Sequence, residues 1–413
     1  MRRLLVVNWE MPPLAGPRAV QVSRTLKHLV PLGWESWVVC FGPRSGRYNQ
    51  DRALASVLQA PAGVTLVPVA SLEERFFFRA LWRILPPVKM LPDEKWVWIR
   101  AATRAAVDLA ASRKFDVLVS YGQPFSDHLI GLRVRRATGL PWVAHFSDPW
   151  TDSPYLHGRA WQQRIWRRME ADVIREADVL VFTTAQTADR VMKKYPASWR
   201  KKSHVVPHGF DCEAITRADI AGAGAERRLR IVHTGRFYDG IRTPGALLNA
   251  LATLARRRPL AAELTVTFVG TPLKSHQRLA RRLGLDGVVA FTGRVPFAES
   301  ARHAAAADVL LVIDAPSDES LFLPSKLVDY LPMQKPILAL TPPSGASADL
   351  VRSLGYPIAA PDDEVSIARE IEALIIAKQE GRLAVSGSHA DVASQYDIRR
   401  TTESFSRILD QCA

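Results

Sequence analysis

Short apolar runs of three to six residues alternate with helical stretches along almost the whole chain. Such runs, bounded by turn residues, are typical of strands buried on both faces, which form parallel sheets covered by helices. The runs predict strands at Leu4–Asn8, Ser36–Phe41, Thr65–Val69, Val117–Ser120, Trp142–His145, Val179–Thr183, His204–Val206, Arg230–His233, Leu264–Val269, Val288–Phe291, Val309–Ile313 and Ile337–Leu340. The stretches between them predict helices at Ala19–Pro31, Glu94–Arg113, Arg159–Glu176, Thr243–Arg257, Lys274–Leu283, Phe297–Ala306, Ser325–Leu331 and Val365–Lys378.

The alternation occurs in both halves of the chain, and each half is long enough for one doubly wound domain. We therefore expect an α/β protein with two Rossmann-like domains that face a cleft, at residues 1–206 and 228–392. Residues 207–227 are predicted to be a linker, because they include Ala221-Gly222-Ala223-Gly224-Ala225. Residues 393–413 are expected to form a helix that packs back on the first domain.

The net charge of +14 lies entirely in the first half of the chain. Residues 1–205 contain 31 Lys and Arg against 17 Asp and Glu, whereas residues 206–413 contain 24 of each. A basic half favours association with an acidic partner, and nucleic acid and an anionic membrane surface are the two obvious candidates.

Composition narrows the class of protein and its compartment. A hydrophobic content of 47% and a charged content of 23% exclude a disordered or collagen-like chain. The three cysteines, Cys40, Cys212 and Cys412, form no C-x-x-C pair, so neither a disulfide framework nor a cysteine zinc site is predicted. The first apolar run is too short for a signal peptide, and no run approaches the roughly 18 apolar residues of a membrane span. These features favour the cytoplasm.

A glycine and two arginines follow the predicted strand Arg230–His233. The segment Thr234-Gly235-Arg236-Phe237-Tyr238-Asp239-Gly240-Ile241-Arg242 places the arginines six residues apart. Guanidinium groups bind phosphate oxygens through paired hydrogen bonds, and a glycine lets a ligand approach the backbone closely. The segment indicates a phosphate site; surface arginines on an ordinary turn are the alternative.

A second motif, Leu321-Phe322-Leu323-Pro324-Ser325-Lys326-Leu327-Val328-Asp329-Tyr330-Leu331, contains a helix start. Pro324 fits the first turn of a helix, whose N–H groups and dipole attract anions. Asp329 lies about one turn further on and could accept hydrogen bonds from a ribose diol. Taken alone, the motif favours a simple helix start with a solvated Asp329.

The second half resembles the nucleotide-sugar-binding domain of GT-B glycosyltransferases, specifically the retaining family GT4. The resemblance is carried by the "G-R" turn, Phe291-Thr292-Gly293-Arg294-Val295-Pro296, Ala307-Asp308-Val309-Leu310-Leu311 and the "P-x-K-x-x-D-Y-L" helix, in the family's order. It covers residues 205–360 well and the first half more loosely. By this resemblance the donor-binding residues of the second half are Gly235, Arg236, Arg242, Val295, Pro324, Ser325, Lys326 and Asp329.

The resemblance also implies individual roles. Arg236 and Arg242 would hold the donor diphosphate and act in catalysis, Asp329 would bind the ribose, and Val295 would meet the base. The family usually has a glutamate eight residues before the ribose-binding acid, and that position is Leu321 here. Whether Glu319 substitutes for it is open, and so is the donor sugar.

In the first half, the resemblance points to two strand ends. After the first strand, a proline-rich loop with Gly16 would let backbone N–H groups reach the diphosphate; an ordinary turn is the equal alternative. After the fifth strand, His145 and Asp148 are the catalytic candidates near the anomeric carbon. A structural role for the histidine carries about the same weight.

The segment Arg75–Leu91 suggests the acceptor side. Arg75, Arg79 and Arg83 repeat every four residues, and Phe78 and Trp82 lie between them. On a helix this pattern favours contact with an anionic membrane interface, to which each basic residue contributes roughly 1 kcal/mol. A partly buried helix with arginines reaching to solvent is the alternative.

Together these features predict a retaining hexosyltransferase that uses a nucleotide-diphosphate sugar and a lipid-linked or cell-envelope saccharide acceptor. We expect no cofactor and no metal, because the chain has no D-x-D triplet. The enzyme would act at the cytoplasmic face of the membrane and bind no nucleic acid. An inactive sugar-nucleotide-binding scaffold and a nucleic-acid-binding protein are the alternatives.

Overall fold

Two compact units, each with its own parallel sheet, make up the protein. The computed structural model describes residues 1–14, 16–43, 48, 50–51, 62–74, 90–212, 227–271 and 273–413. The N-terminal unit comprises Met1–Gly209 and Ile398–Ala413, and the C-terminal unit comprises Phe210–Asp397. Residues 213–226 of the predicted linker lie outside the described residues.

The sheet of the N-terminal unit has seven parallel strands: β1 Arg2–Val7, β2 Trp34–Phe41, β3 Val64–Val69, β4 Val117–Gly122, β5 Trp142–Phe146, β6 Val179–Phe182 and β7 Ser203–Val205. Their order is β3-β2-β1-β4-β5-β6-β7, so the chain begins in the middle of the sheet and winds towards both edges. The carboxyl ends of all seven strands therefore lie at one edge, where doubly wound sheets bind their ligands.

Helices cover both faces of this sheet. In β1, Leu5 and Val7 belong to one hydrophobic cluster, whereas Leu4 and Val6 belong to the other, because successive side chains point to opposite faces. The α-helices are Pro17–Leu29, Ile99–Ser112, Ser126–Thr138, Ala160–Glu176, Ala185–Met192, Ala197–Arg200 and Ile398–Cys412, and the 3₁₀ helices are Val30–Leu32, Leu72–Glu74 and Trp96–Trp98.

The sheet of the C-terminal unit has six parallel strands: β8 Leu229–Thr234, β9 Leu264–Val269, β10 Val289–Gly293, β11 Val309–Ile313, β12 Ile337–Leu340 and β13 Ile358–Ala359, in the order β10-β9-β8-β11-β12-β13. Its helices are Gly245–Ala255, Leu260–Glu263, Lys274–Arg282, Phe297–Ala305, Ser325–Tyr330, Leu331–Met333 (a 3₁₀ helix), Ala346–Ser353, Glu364–Gln379 and His389–Ser394. The side chains of β11 alternate between two hydrophobic clusters, so this sheet too is buried on both faces.

The terminal helix Ile398–Cys412 completes the core of the N-terminal unit. Phe405 and Leu409 are buried in the cluster that contains β1 residues Leu4 and Val6. The indole nitrogen of Trp34 donates a hydrogen bond to Ser406 Oγ at 3.1 Å. This helix begins at Ile398, whereas the sequence placed the start of the segment at residue 393.

The predicted fold class is confirmed, since both sheets are parallel and doubly wound. All twelve predicted strands are present, and only the two-residue β13 was missed. The helices that were predicted from the sequence did not include Ser126–Thr138, Ala185–Met192 and Ala346–Ser353. Among the residues that the structure describes, no helix is both long and apolar enough to cross a membrane.

Substitution of Gly345 tests the close backbone packing in the C-terminal unit. Its φ is +101°, and an added Cβ would lie 2.3 Å from the carbonyl oxygen of Ser320. Gly381 has a φ of +67° with no atom within 4 Å of such a Cβ, so it is a matched control. We expect Gly381→Ala to lower the free energy of unfolding by about 1 kcal/mol and Gly345→Ala by about 3 kcal/mol or more, because only the latter also displaces backbone. Equal shifts of the urea midpoint would contradict this packing.

Candidate functional site

Glycines, which have no side chains, lie where three neighbouring strands of the C-terminal unit end. Gly235 follows β8, Gly270 follows β9, and Gly293 ends β10. Gly270 N–H donates to the Gly293 carbonyl at 3.0 Å, and an added Cβ on Gly270 would lie 2.3 Å from the Gly235 carbonyl oxygen. The strand ends therefore form a backbone surface that a ligand can approach closely.

Two basic side chains meet at this surface. The loop after β8 closes through reciprocal backbone hydrogen bonds between Tyr238 and Arg242, of 2.9 and 2.8 Å, which return Arg242 towards the strand end. The Arg242 guanidinium lies 4.9 Å from the Tyr238 ring centroid and donates to the Arg236 carbonyl at 3.0 Å. The Arg236 side chain is exposed. The predicted pair of arginines thus belongs to one short loop.

Lys326 brings a third positive group to the same place. Its Nζ lies 2.9 Å from the position of a Cβ added to Gly235 and 3.0 Å from Nε2 of His233. Burial, reinforced by the charge of Arg242, holds the pKa of Lys326 well below its usual value. An anionic ligand would reverse that effect, because it favours the charged ammonium.

His233 was missed by the sequence analysis and fixes Lys326. The imidazole is fully buried and stacks on Phe237, with ring centroids 4.8 Å apart. Burial and then the neighbouring Lys326 charge hold the pKa of His233 well below its usual value. Neutral imidazole can accept the hydrogen bond from Lys326, so His233 orients the ammonium towards Gly235. The available signal was a histidine directly after the apolar pair Ile231-Val232 in a predicted strand.

Asp314, also missed, is a buried carboxyl group near these cations. It follows β11, and Thr341 Oγ1 donates to its Oδ2 at 2.8 Å. Burial raises the pKa of Asp314, and the charges of Arg242 and Lys326 oppose that rise. The carboxyl group accepts hydrogen bonds from the side chains of Thr341 and Ser347, and it is close enough to Arg242 and Lys326 for their charges to affect its pKa.

The remaining predicted donor residues lie on neighbouring elements. The helix that starts after Pro324 has only six residues, Ser325–Tyr330, and Tyr330 OH accepts a 2.9 Å hydrogen bond from Thr234 N–H at the end of β8. Asp329 is partly buried on this helix. Val295 follows β10 and is partly buried against the core. Leu321 is buried and Glu319 is exposed.

In the N-terminal unit, Arg18 links the ends of two strands. This buried guanidinium donates to the Gly122 carbonyl at 2.7 Å, at the end of β4, and to Ser147 Oγ, just after β5. The predicted residue Asp148 lies beside it: burial raises the pKa of Asp148, and the charge of Arg18 opposes the rise. Arg18 lies two residues after Gly16 of the predicted proline-rich loop, but it was not recognised as a site residue.

His145 lies in β5 among other aromatic side chains. Its ring centroid is 4.9 Å from that of Tyr121 and 6.0 Å from that of His208. Burial, together with the charge of Arg18, lowers the pKa of His145 to about 3. The side chain is therefore neutral at pH 7 and can offer hydrogen bonds but not positive charge.

The start of helix Pro17–Leu29 is already occupied by a carboxyl group. Glu10 accepts hydrogen bonds from the backbone N–H groups of Arg18 and Ala19, and a Cβ added to Gly16 would lie 1.9 Å from its Oε1. A diphosphate could contact the predicted Gly16 turn only if Glu10 moved away.

The predicted acceptor residues Arg75, Phe78, Arg79, Trp82 and Arg83 lie outside the described residues. Within the described ranges, no group of three or more His, Cys, Asp or Glu side chains has an arrangement that could hold a metal ion.

Known proteins match both the sequence and the fold. Residues 19–214 match the model described as Glycosyltransferase Family 4. The chain is 33% identical over 158 residues to the D-inositol 3-phosphate glycosyltransferase of Streptomyces avermitilis, covering 35% of this chain and 33% of that protein. The enzyme of the same name from Kribbella flavida is 31% identical over 140 residues, covering 31% of this chain and 32% of that protein. The chain thus spans about a third of the length of these curated relatives.

Solved structures match along nearly the whole chain. HepE from Anabaena, in complex with UDP and glucose, has a TM-score of 0.69 and 17% identity, covering 99% of this chain and 100% of that one. Sucrose-phosphate synthase from Thermosynechococcus elongatus has a TM-score of 0.73 and 14% identity, covering 100% and 99%. WaaG, a glycosyltransferase involved in lipopolysaccharide biosynthesis, has a TM-score of 0.63 and 13% identity, covering 98% and 99%. These neighbours confirm the predicted GT-B fold.

Pyrophosphate binding tests the role of Lys326 and His233. We expect Lys326→Met to weaken binding of inorganic pyrophosphate about tenfold, since hydrogen bonds to charged groups contribute about 1.5–3 kcal/mol. His233→Phe should produce a similar loss, and His233→Gln, which keeps an acceptor, a smaller one. Lys335→Met is the control. Lys335 lies just before β12, at the amino ends of the strands, whereas Lys326 lies at their carboxyl ends. Calorimetry that gives equal affinities for Lys326→Met and Lys335→Met would remove Lys326 from the site.

Proposed function

We propose that this chain, which carries a glycosyltransferase family 4 domain on a GT-B fold, is a retaining hexosyltransferase. It would transfer a hexose from a nucleotide-diphosphate sugar to a lipid-linked or cell-envelope saccharide. The observation that carries the proposal is that Lys326 and the short loop with Arg236 and Arg242 lie at the glycine-lined strand ends. The relatives named glycosyltransferases and the neighbour with bound UDP and glucose support it.

In this reaction the bond between the anomeric carbon and the diphosphate oxygen breaks, and negative charge develops on the leaving group. Preorganised cations in a partly buried site stabilise that charge. Arg236, Arg242 and Lys326 would act in this way, and we therefore propose that transfer needs no metal. The acceptor oxygen attacks from the face that the diphosphate leaves, and the acceptor proton passes to a phosphate oxygen.

The other assignments follow from the resemblance. Asp329 would bind the ribose and Val295 the base, both near the strand ends that carry the cations. His145, which is neutral, and Asp148 would contact the transferred sugar. Their position at the carboxyl end of β5, beside Arg18, supports this assignment. The buried Leu321 cannot hydrogen-bond to a sugar through its side chain, so the sugar must be recognised by other groups.

Donor turnover tests this proposal. We expect release of nucleoside diphosphate from at least one of a panel of UDP- and GDP-hexoses in the presence of EDTA. Arg242→Ala should slow release at least about tenfold, because loss of one such stabilising donor costs about 10²–10³ in rate. Arg256→Ala is the control, since Arg256 is exposed at the far end of helix Gly245–Ala255.

Two results would contradict the proposal. A protein that binds these donors and never turns them over with any saccharide acceptor would be a sugar-nucleotide-binding scaffold. Equal rates for Arg242→Ala and Arg256→Ala would remove Arg242 from the catalytic groups. Activity that is lost in EDTA and restored by a divalent cation would overturn only the metal-independent mechanism.

We further propose that the chain works at the inner face of the membrane, because its first half carries all of the net charge of +14. Charge reversal of Arg75, Arg79 and Arg83 to Glu should reduce sedimentation with anionic liposomes, as each lost basic residue removes roughly 1 kcal/mol. The matched control reverses three exposed arginines of the C-terminal unit, Arg256, Arg257 and Arg281. Equal sedimentation of the two triple variants would leave the proposed membrane face without support.

A further inference from the structure

Two consecutive aromatic residues lie in the loop after β8, beside the basic site that Arg236, Arg242 and Lys326 form at the strand ends. Phe237 is 6% exposed and packs in the core of the C-terminal unit, whereas Tyr238 is 50% exposed. The reaction proposed above uses neither ring. An aromatic side chain that is half exposed beside a cation needs a reason, because its apolar surface would be better buried.

The backbone of the loop places Tyr238 opposite Arg242. These residues form an antiparallel bridge, and Gly240, with a φ of +69°, lies in the turn between them. Side chains directly opposite each other in such a pair lie on the same face. The Arg242 Cζ accordingly lies 4.9 Å from the Tyr238 ring centroid. A planar guanidinium is attracted to an aromatic face by its charge and by stacking.

The Arg242 guanidinium is held on two sides and has a donor to spare. One terminal nitrogen donates to the Arg236 carbonyl at 3.0 Å, and the Tyr238 ring lies against the group. The Nε atom is buried and has no hydrogen-bond partner in the part of the chain that the structure describes. A buried N–H without a partner is costly, and a phosphate oxygen would satisfy it.

The cations of the basic site repel each other, so they need support. The charge of Arg242 is one of the causes that lower the pKa of Lys326. Lys326 is held by His233, whose ring stacks on Phe237 with centroids 4.8 Å apart. Without comparable support, repulsion would favour an Arg242 side chain that turns away into solvent. Ligand binding would then include the entropic cost of ordering that side chain again.

We propose that Tyr238 is a positioning residue of the basic site, and that its ring holds the Arg242 guanidinium in the orientation that receives a phosphate oxygen. The ring acts through its aromatic face and not through its hydroxyl group. That the phosphate belongs to a nucleotide-diphosphate sugar rests on the proposed function. The orientation of Arg242 rests on the contacts of the loop alone.

Calorimetry with inorganic pyrophosphate on the full chain tests this role. We expect Tyr238→Leu to weaken binding about threefold to fivefold, the size of a cation–π contribution at a partly exposed site. Tyr238→Phe keeps the aromatic face and should stay within about twofold of the unchanged protein. The bridge consists of backbone hydrogen bonds of 2.9 and 2.8 Å, so both variants can retain it. Tyr155→Leu, at a tyrosine of the N-terminal unit that is 41% exposed, is the control.

Two results of this comparison would overturn the proposal. One is an equal affinity for Tyr238→Leu and the Tyr155→Leu control. The other is a loss in Tyr238→Phe as large as that in Tyr238→Leu, because the hydroxyl group and not the ring face would then be responsible.

A double-mutant cycle separates positioning of Arg242 from a general effect on the loop. Arg242→Met should weaken pyrophosphate binding about tenfold, since it removes a charged hydrogen-bond donor. Tyr238→Leu should have no further effect in the Arg242→Met protein, because the group that the ring holds is gone. A threefold to fivefold loss that persists there would overturn the proposal, since the ring would then act without Arg242.

The donor assay distinguishes this inference from the proposed function. If no UDP- or GDP-hexose is turned over and the effects of Tyr238→Leu and Arg242→Met on pyrophosphate binding remain coupled, the positioning role stands and the proposed function fails. If donors are turned over and Tyr238→Leu binds pyrophosphate as tightly as its control, the proposed function stands and this inference fails.

Discussion

A parallel sheet that is covered by helices on both faces has no open face for a ligand, so polar chemistry is confined to the edge where its strands end. Both units follow this constraint. In β1 the residues Leu4–Val7 are wholly buried, and Glu10 and Arg18 come only after the strand. In the C-terminal unit, β8 has the apolar residues Ile231 and Val232 before His233, and β11 is apolar until Asp314 follows it. The position of every candidate group is a consequence of this burial.

The two edges differ in charge. The C-terminal unit has Lys326 and the Arg236–Arg242 loop beside backbone that carries no side chains, and the buried carboxyl group of Asp314 is close enough to feel the charges of Arg242 and Lys326. The N-terminal unit turns the buried Arg18 inwards, onto the Gly122 carbonyl and Ser147. One edge therefore places basic groups beside exposed backbone, whereas the other uses a buried arginine to join two strand ends.

Strands were predicted well because buried parallel strands are short, continuous apolar runs that turn residues delimit. The missed helices lack a comparable signal. Helix Ser126–Thr138 begins with Ser126, Asp127 and His128, which are polar and yet buried by tertiary contacts. Helices Ala185–Met192 and Ala346–Ser353 are only eight residues long, too short for a clear periodicity.

The candidate site could be predicted where residue type and backbone act locally, as at Gly235, Arg236 and Arg242. Residues whose role depends on a partner far away in sequence were missed. His233 hydrogen-bonds to Lys326, 93 residues away, and Arg18 donates to the Gly122 carbonyl, 104 residues away. The family resemblance rested mainly on residues 205–360, whereas the family model matches residues 19–214. The two observations therefore support the same family from different parts of the chain.

The return of the last helix to the N-terminal unit makes the C-terminal unit an insertion within the fold of its neighbour. Residues 1–209 alone would lack Phe405 and Leu409 and leave Leu4 and Val6 without part of their covering. Gly209 is packed against Ile398, since a Cβ added to it would lie 2.5 Å from the Ile398 Cα. The two ends of the interrupted unit are therefore adjacent, so residue 209 could be joined directly to residue 398 without a long connecting segment.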